Sequence, residues 1–197
     1  MDDVHRKRVR HFDHPGHVHE LTFSCYQRRP LLVDDACRSI LATAVTRAML
    51  RHRYGLVAFV FMPEHVHLLV LPESRTPISA VLSAIKRPTA FRIKQHWLEH
   101  QDSRLQGLII RQRPGVSTFR FWQEGPGYDR NVTTAGTIQK VIEYLHLNPV
   151  RRGLCRWASE WRWSSARRFA DPDGPDDPDL PTVRPLLPAD FDPDPTA

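Results

Sequence analysis

Two apolar runs near the middle of the chain, Leu56 to Phe61 and Val66 to Leu71, are separated only by Met62-Pro63-Glu64-His65. Pro63 has no amide proton to give to a strand ladder, so it marks a break between two strands. The pair reads as a β-hairpin, and any fold for this chain has to be built around it. Upstream, His17 to Tyr26 alternates Leu21, Phe23 and Cys25 with Thr22, Ser24 and Tyr26, the two-residue period of a half-buried strand. Between that strand and the hairpin, Cys37, Ile40, Leu41, Ala44, Val45, Ala48 and Met49 recur at three- and four-residue spacing. They predict a helix from Asp34 to His52, with Asp34 or Asp35 suited to its start. After the hairpin, Val81, Leu82 and Ile85 predict a second helix from Ile78 to about Trp97, which Pro88 is expected to kink or end near Arg87.

A short strand is expected at Leu108 to Ile110 and another at 117–123 (STFRFWQ), before an EGPG turn. A last helix is expected from Thr137 to Leu147, with Pro149 as its stop signal. The order β, α, β, β, α, β, α predicts an α+β, ferredoxin-like sandwich: an antiparallel sheet with helices packed on one face, and the other face or its rim left for a ligand. The length of 197 residues allows one domain, over residues 1–170, with an appendage. Residues 171–197 contain eight Pro and no periodicity, and they read as a disordered acidic tail.

Charge narrows the partner. The tail carries eight Asp against the single Arg184, and taking its −7 out of the total of +6 leaves +13 on residues 1–170. A body this basic suits nucleic-acid phosphates better than acidic small molecules. The tail is expected to shield that surface from non-specific DNA. Cys25, Cys37 and Cys155 are odd in number and lack a CxxC spacing, which argues against a disulfide framework or zinc ribbon and for a reducing compartment. With no apolar stretch of membrane-spanning length, a cytoplasmic protein associated with the bacterial nucleoid, without a membrane partner, is expected.

The strongest chemical signal is Pro63-Glu64-His65-Val66-His67-Leu68-Leu69-Val70. On a strand, His65 and His67 point to one face, while Val66, Leu68 and Val70 point into the core. Two imidazoles side by side leave room for an oxygen ligand, water and a substrate phosphate, the layout of a catalytic metal site; an ordinary polar face is the alternative. His17-Val18-His19 has the same spacing but lies in a His-rich segment, where solvent-exposed side chains are expected. In the last helix, Ile138, Val141, Ile142 and Leu145 form the buried stripe, and Lys140, Tyr144 and Asn148 a second stripe rotated by about 110° at ~100° per residue. Tyr144 is thereby a boundary packing residue or, beside a metal, a nucleophile. A phenol attacks poorly at neutral pH, so a metal and a cation such as Lys140 would be its natural aids. Tyr128, in a turn between Gly127 and Asp129, is a second candidate. Basic residues interleaved with aromatics suit phosphates and unpaired bases: Lys86, Arg87, Arg92 and Lys94, then Arg120 and Trp122, then Arg151 and Arg152. Trp157, Trp161 and Trp163 read equally as packing.

MPEHVHLLV, then YLHLNPVRRGL, then a W-x-W-S-S segment resembles the REP-associated tyrosine transposases, in the single-tyrosine branch of the HUH (His-hydrophobe-His) endonucleases. The likeness extends over roughly residues 9–170. It implies a ferredoxin-like sheet, His65 and His67 as the pair that binds Mg²⁺ or Mn²⁺, and Tyr144 as the residue that attacks the scissile phosphate, leaving a 5′-phosphotyrosine and a free 3′-hydroxyl. Asn148 stands where related insertion-sequence transposases place a Gln ligand, and is shorter by one methylene. The implied substrate is single-stranded DNA folded into hairpins, often repetitive extragenic palindromes, cut and rejoined without ATP by a monomer or homodimer. The alternatives are a non-catalytic hairpin DNA or RNA binder and a small metal-dependent hydrolase. The acidic tail lies outside the pattern.

Overall fold

The two central runs pair as expected. In the computed structural model, which describes residues 17–73, 75–125 and 127–186, β2 (Tyr54–Phe61) and β3 (His65–Pro72) form an antiparallel hairpin. Strand β1 (Val18–Ser24) lies antiparallel along the far side of β3. The chain order is β1, α1 (Asp35–His52), β2, β3, α2 (Ile78–Glu99), β4 (Ile109–Arg113), β5 (Val116–Phe119), β6 (Tyr128–Val132), α3 (Ala135–Arg151) and α4 (Ala166–Ala170). The sheet order is β2-β3-β1-β6, with β4 and β5 forming a separate hairpin. Leaving that hairpin aside, β1-α1-β2-β3-α2-β6 with this strand order is the ferredoxin-like arrangement.

Alternation along the strands splits the core in two. Leu21, Phe23, Phe59, Phe61, Val66, Leu68 and Val70 meet α1 and α2 on one face, through Leu41, Val45, Val81, Ile85 and Ile93. Each fully buried side chain of this size stabilises the fold by about 1.5–3 kcal/mol. The opposite face carries a smaller cluster, in which Val60, Leu69, Leu71 and Val132 pack on Ile138, Val141 and Leu145 of α3. The helix-covered face is as expected, and α3 adds cover over part of the other.

Several local expectations are corrected. Pro88 lies inside α2 and does not end it, because buried Ile85, Thr89, Ile93 and Trp97 continue one packing stripe across it. Near the proline, the Thr89 hydroxyl donates to the Ile85 carbonyl at 2.7 Å. Pro149 is likewise internal to α3, which continues to Arg151. The segment 117–123 forms a strand only as far as Phe119, and Trp122 makes an isolated bridge to Cys25. Tyr128 begins strand β6, paired to β1, rather than sitting in a turn. His19 is buried rather than exposed, its Nδ1 3.0 Å from Asp129 Oδ1. All three cysteines are free.

Residues 171–186, expected to be disordered, follow an irregular path fixed to the body. Arg162 pairs with Asp177 at 2.9 Å and Asp179 at 2.6 Å, and Leu180 and Val183 pack on the main core. Arg184 donates its amide to the Leu56 carbonyl at 2.8 Å. The remainder of the tail, from residue 187, lies outside the described residues, as do residues 1–16 with His5, His11 and His14. Among the described residues no helix is long and apolar enough to cross a membrane.

Candidate active site

His65 and His67 fall on the sheet face that α3 partly covers, because Val66 and Leu68 between and beyond them are drawn to the α1/α2 side. Their Nε2 atoms converge to 3.0 Å. Each Nδ1 is held from behind: His65 donates to Glu64 Oε1 at 3.2 Å, and His67 Nδ1 lies 2.8 Å from the Thr22 hydroxyl. Ionised carboxylates only accept, so His65 carries its proton on Nδ1 and presents a lone pair at Nε2. The Thr22 hydroxyl can accept from His67 in the same way, which turns both Nε2 lone pairs toward one point. At this separation the rings also make a hydrogen bond when His67 carries its proton on Nε2 and the Thr22 hydroxyl donates to Nδ1; a bound cation favours the tautomer that offers both lone pairs. About 3.0 Å is also the separation of neighbouring ligands around an octahedral ion with bonds of about 2.1 Å. Donor type, spacing and the partners behind each ring all fit a divalent metal.

Glu64 is itself anchored. Arg152, just past α3, places Nη1 2.6 Å from Glu64 Oε1. Burial by itself raises the Glu64 carboxyl, but the Arg152 hydrogen bond, with the Arg152 charge, helps to outweigh it and hold the group below its ordinary value. Burial lowers His65, with Glu64 opposing; burial and the neighbouring His65 lower His67 to about 3. Both rings are therefore neutral and able to ligate at neutral pH.

Tyr144 stands over this pair. Its ring centroid is 6.0 Å from that of His67, edge to face, and the side chain is 44% exposed. The Arg151 guanidinium carbon lies 5.2 Å from the Tyr144 ring centroid. Lys140 is exposed one turn earlier on α3. Asn148 is buried, and its amide nitrogen donates to the Tyr144 carbonyl at 2.8 Å, so only Oδ1 is left to face an ion. Among the described residues no three His, Cys, Asp or Glu side chains form a metal-holding group. A cavity of about 290 Å³ lies elsewhere, between α4 and the tail.

The remaining expected DNA contacts divide sharply. Arg151 and Arg152 are brought to the site. Lys86, Arg87, Arg92 and Lys94 belong to α2, which packs on the other face of the sheet. Lys86 is half-buried, donates to the Gly125 carbonyl at 3.2 Å, and is lowered by burial. Lys94 lies over Phe119, and Arg120 pairs with Glu124 at 2.7 Å. Trp122 is buried between Phe23 and Phe121, its indole donating to the Lys86 carbonyl, and offers no open face to a base. Trp161 and Trp163 also pack, donating to the Phe61 carbonyl and to Asp35, whereas Trp157 is exposed. Reading the sequence missed Thr22 and the Glu64–Arg152 link. Thr22 was visible as a polar position of β1; the link spans 88 residues and had no local signal.

A family model described as transposase, IS200-like, matches residues 15–146. Among solved structures, a REP-associated tyrosine transposase bound to a REP hairpin superposes with a TM-score of 0.65 at 17% identity, covering 86% of this chain and 88% of that one. A protein of Deinococcus radiodurans R1 assigned as a transposase gives a TM-score of 0.43 at 20% identity, covering 74% and 98%. No curated protein matches.

Proposed function

The chain belongs to the IS200-like transposase family, and from that premise we propose that it is a metal-dependent enzyme that cuts and rejoins single-stranded DNA at hairpin-forming repeats. The observation that carries this reading is the contact of an accessible phenol, Tyr144, with His67, whose Nε2 converges with that of His65. His65 and His67, with Asn148 Oδ1, would hold Mg²⁺ or Mn²⁺, and that ion would draw charge from a phosphate oxygen. The Tyr144 oxygen attacks phosphorus; a phosphotyrosine bond to the 5′ side forms, the bond to the 3′ oxygen breaks, and the phenolic proton ends on the released 3′-hydroxyl. Lys140 and Arg151 supply positive charge where the attacking oxygen and the phosphate gain negative charge. Reversal, by attack of a 3′-hydroxyl on the phosphotyrosine, joins strands without ATP. Hairpin DNA as the substrate extends to this chain what its structural neighbour binds. Residues 1–170 form the working domain in this reading, and 171–197 are accessory.

The test is covalent chemistry. Labelled single strands carrying a hairpin, incubated with the protein and Mn²⁺, are expected to give an adduct that survives denaturation. Tyr144→Phe abolishes both adduct and cleavage. Cleavage that persists in Tyr144→Phe marks a hydrolase, and binding with neither cleavage nor adduct marks a passive hairpin binder.

A further inference from the structure

Strand β6 puts two more side chains on the histidine face. In the register of the sheet, Thr22 of β1 stands opposite His67 of β3 on one side and opposite Tyr128 of β6 on the other. Directly opposed residues in antiparallel strands project to the same face. Tyr128, Thr22 and His67 therefore form one cross-strand row, with Tyr128 two strand spacings, roughly 10 Å, from His67. Arg130, two residues along β6, shares that face. Tyr128 is 50% exposed on the edge strand, so its ring is accessible to a ligand. Its position is rigidly set: Gly127 has φ +82°, and a Cβ there would lie 2.3 Å from the Thr22 carbonyl oxygen, so the backbone enters β6 pressed against β1.

Arg130 is also held in place. Its Nη2 is 2.8 Å from Oε2 of Glu20, whose side chain is only 8% exposed, while the Arg130 side chain is 46% exposed. A guanidinium has five N–H donors in a rigid fork, more than one carboxylate can engage. The contact is an ion pair without hydrogen-bond geometry, so the buried Glu20 carboxylate places the Arg130 charge at the surface while leaving its N–H donors to other partners. An exposed aromatic ring beside an arginine, on the sheet face that carries the histidine pair, has the chemistry to hold an unpaired nucleotide.

We infer that Tyr128 and Arg130 form a seat for the unpaired nucleotide flanking the scissile phosphate: the Tyr128 ring stacks on its base, and Arg130, braced by Glu20, takes its phosphate. This rests on the transposase reading for its ligand, single-stranded DNA, but not on Tyr144 chemistry. It gives β6 the task of placing the strand, and Tyr128 a role that needs its ring and not its hydroxyl.

The experiment is equilibrium binding of a fluorescent hairpin oligonucleotide with unpaired flanks, in EDTA so that no strand is cut. Tyr128→Ala is expected to weaken binding about tenfold, and Tyr128→Phe and Tyr128→Trp to bind within about twofold of the parent. An abasic site in the stacked position should cost the parent as much, and cost Tyr128→Ala nothing further. The Arg130→Ala/Glu20→Gln double variant, which leaves no buried charge unpaired, should reduce the slope of log affinity against log salt by about 0.7. Parent-like binding by Tyr128→Ala overturns the inference, as does equal loss in Tyr128→Phe, or an adduct mapped to Tyr128. If no adduct forms at Tyr144 yet binding depends on the Tyr128 ring, the seat stands and the catalytic reading falls. If the adduct forms and Tyr128→Ala binds normally, the reverse holds.

Discussion

Glu64 and Thr22 each hold the Nδ1 of one imidazole, and this sets the direction in which each Nε2 points. Partners of this kind are ordinarily worth 10- to 100-fold in metal affinity or activity. Glu64→Gln keeps an acceptor for His65 but removes the charge that holds Arg152, so we expect Mn²⁺ affinity, read by titration calorimetry without DNA, to fall by about tenfold. Arg152→Ala should give a smaller loss, because Glu64 retains its bond to His65; an unchanged Mn²⁺ affinity in both variants would show that the Arg152–Glu64–His65 chain does not tune the site. The histidine pair was legible in the sequence because the strand period is two and the flanking residues are apolar. Burial of Asn148 and the reach of Arg152 were not legible, since both depend on how α3 lies against β2 and β3.

The elements show the same division between local and tertiary causes. Helix α1 was readable to within a residue of its start, because Asp34 caps it by accepting from the Cys37 amide at 2.8 Å. Burial raises the Asp34 carboxyl, but hydrogen bonds from Cys37 and from Arg104 outweigh it and hold the group below 3.8. For a carboxylate depressed in this way, the unfolded chain takes up its proton first as pH falls. The stabilisation is therefore complete well above 3.8 and is lost as pH drops through the lower folded value. Asp34→Ala should cost about 1 kcal/mol near neutral pH by denaturant titration. Asp34→Asn keeps a cap of similar quality, and the stability gap between it and the parent should close below 3.8. A gap that stays constant on acidification would mean that the charge contributes nothing. Strand β6, by contrast, escaped notice because its exposed positions carry Tyr128 and Arg130 and only Val132 is buried, leaving no apolar alternation to read. The prolines of α2 and α3 misled for the opposite reason: a strong local rule was overridden by packing on both sides of each ring.

Across the whole molecule, charge and chemistry are separated in a way that sequence order conceals. The basic stretch of α2 and the face that carries His65 and His67 lie on opposite sides of one sheet, a separation that net charge alone does not reveal. Among the described residues, tail carboxylates meet Arg162 and Arg168 rather than the arginines at the end of α3. Removing residues 171–197 should lower stability by about 2 kcal/mol through loss of the partly buried Leu180 and Val183, measured by chemical denaturation. Asp177→Asn with Asp179→Asn should cost less than about 1 kcal/mol, as solvent-exposed ion pairs do. If the two changes cost the same, the tail is held by charge and not by its apolar contacts. Residues 163–165 together with Arg184 of the tail line the outer edge of β2: the Phe61 amide donates to the Trp163 carbonyl, the Ser165 amide to the Phe59 carbonyl, and the Arg184 amide to the Leu56 carbonyl. Among the described residues this capping leaves β2 little free ladder for another chain to extend, whereas β6 forms the opposite edge of the sheet.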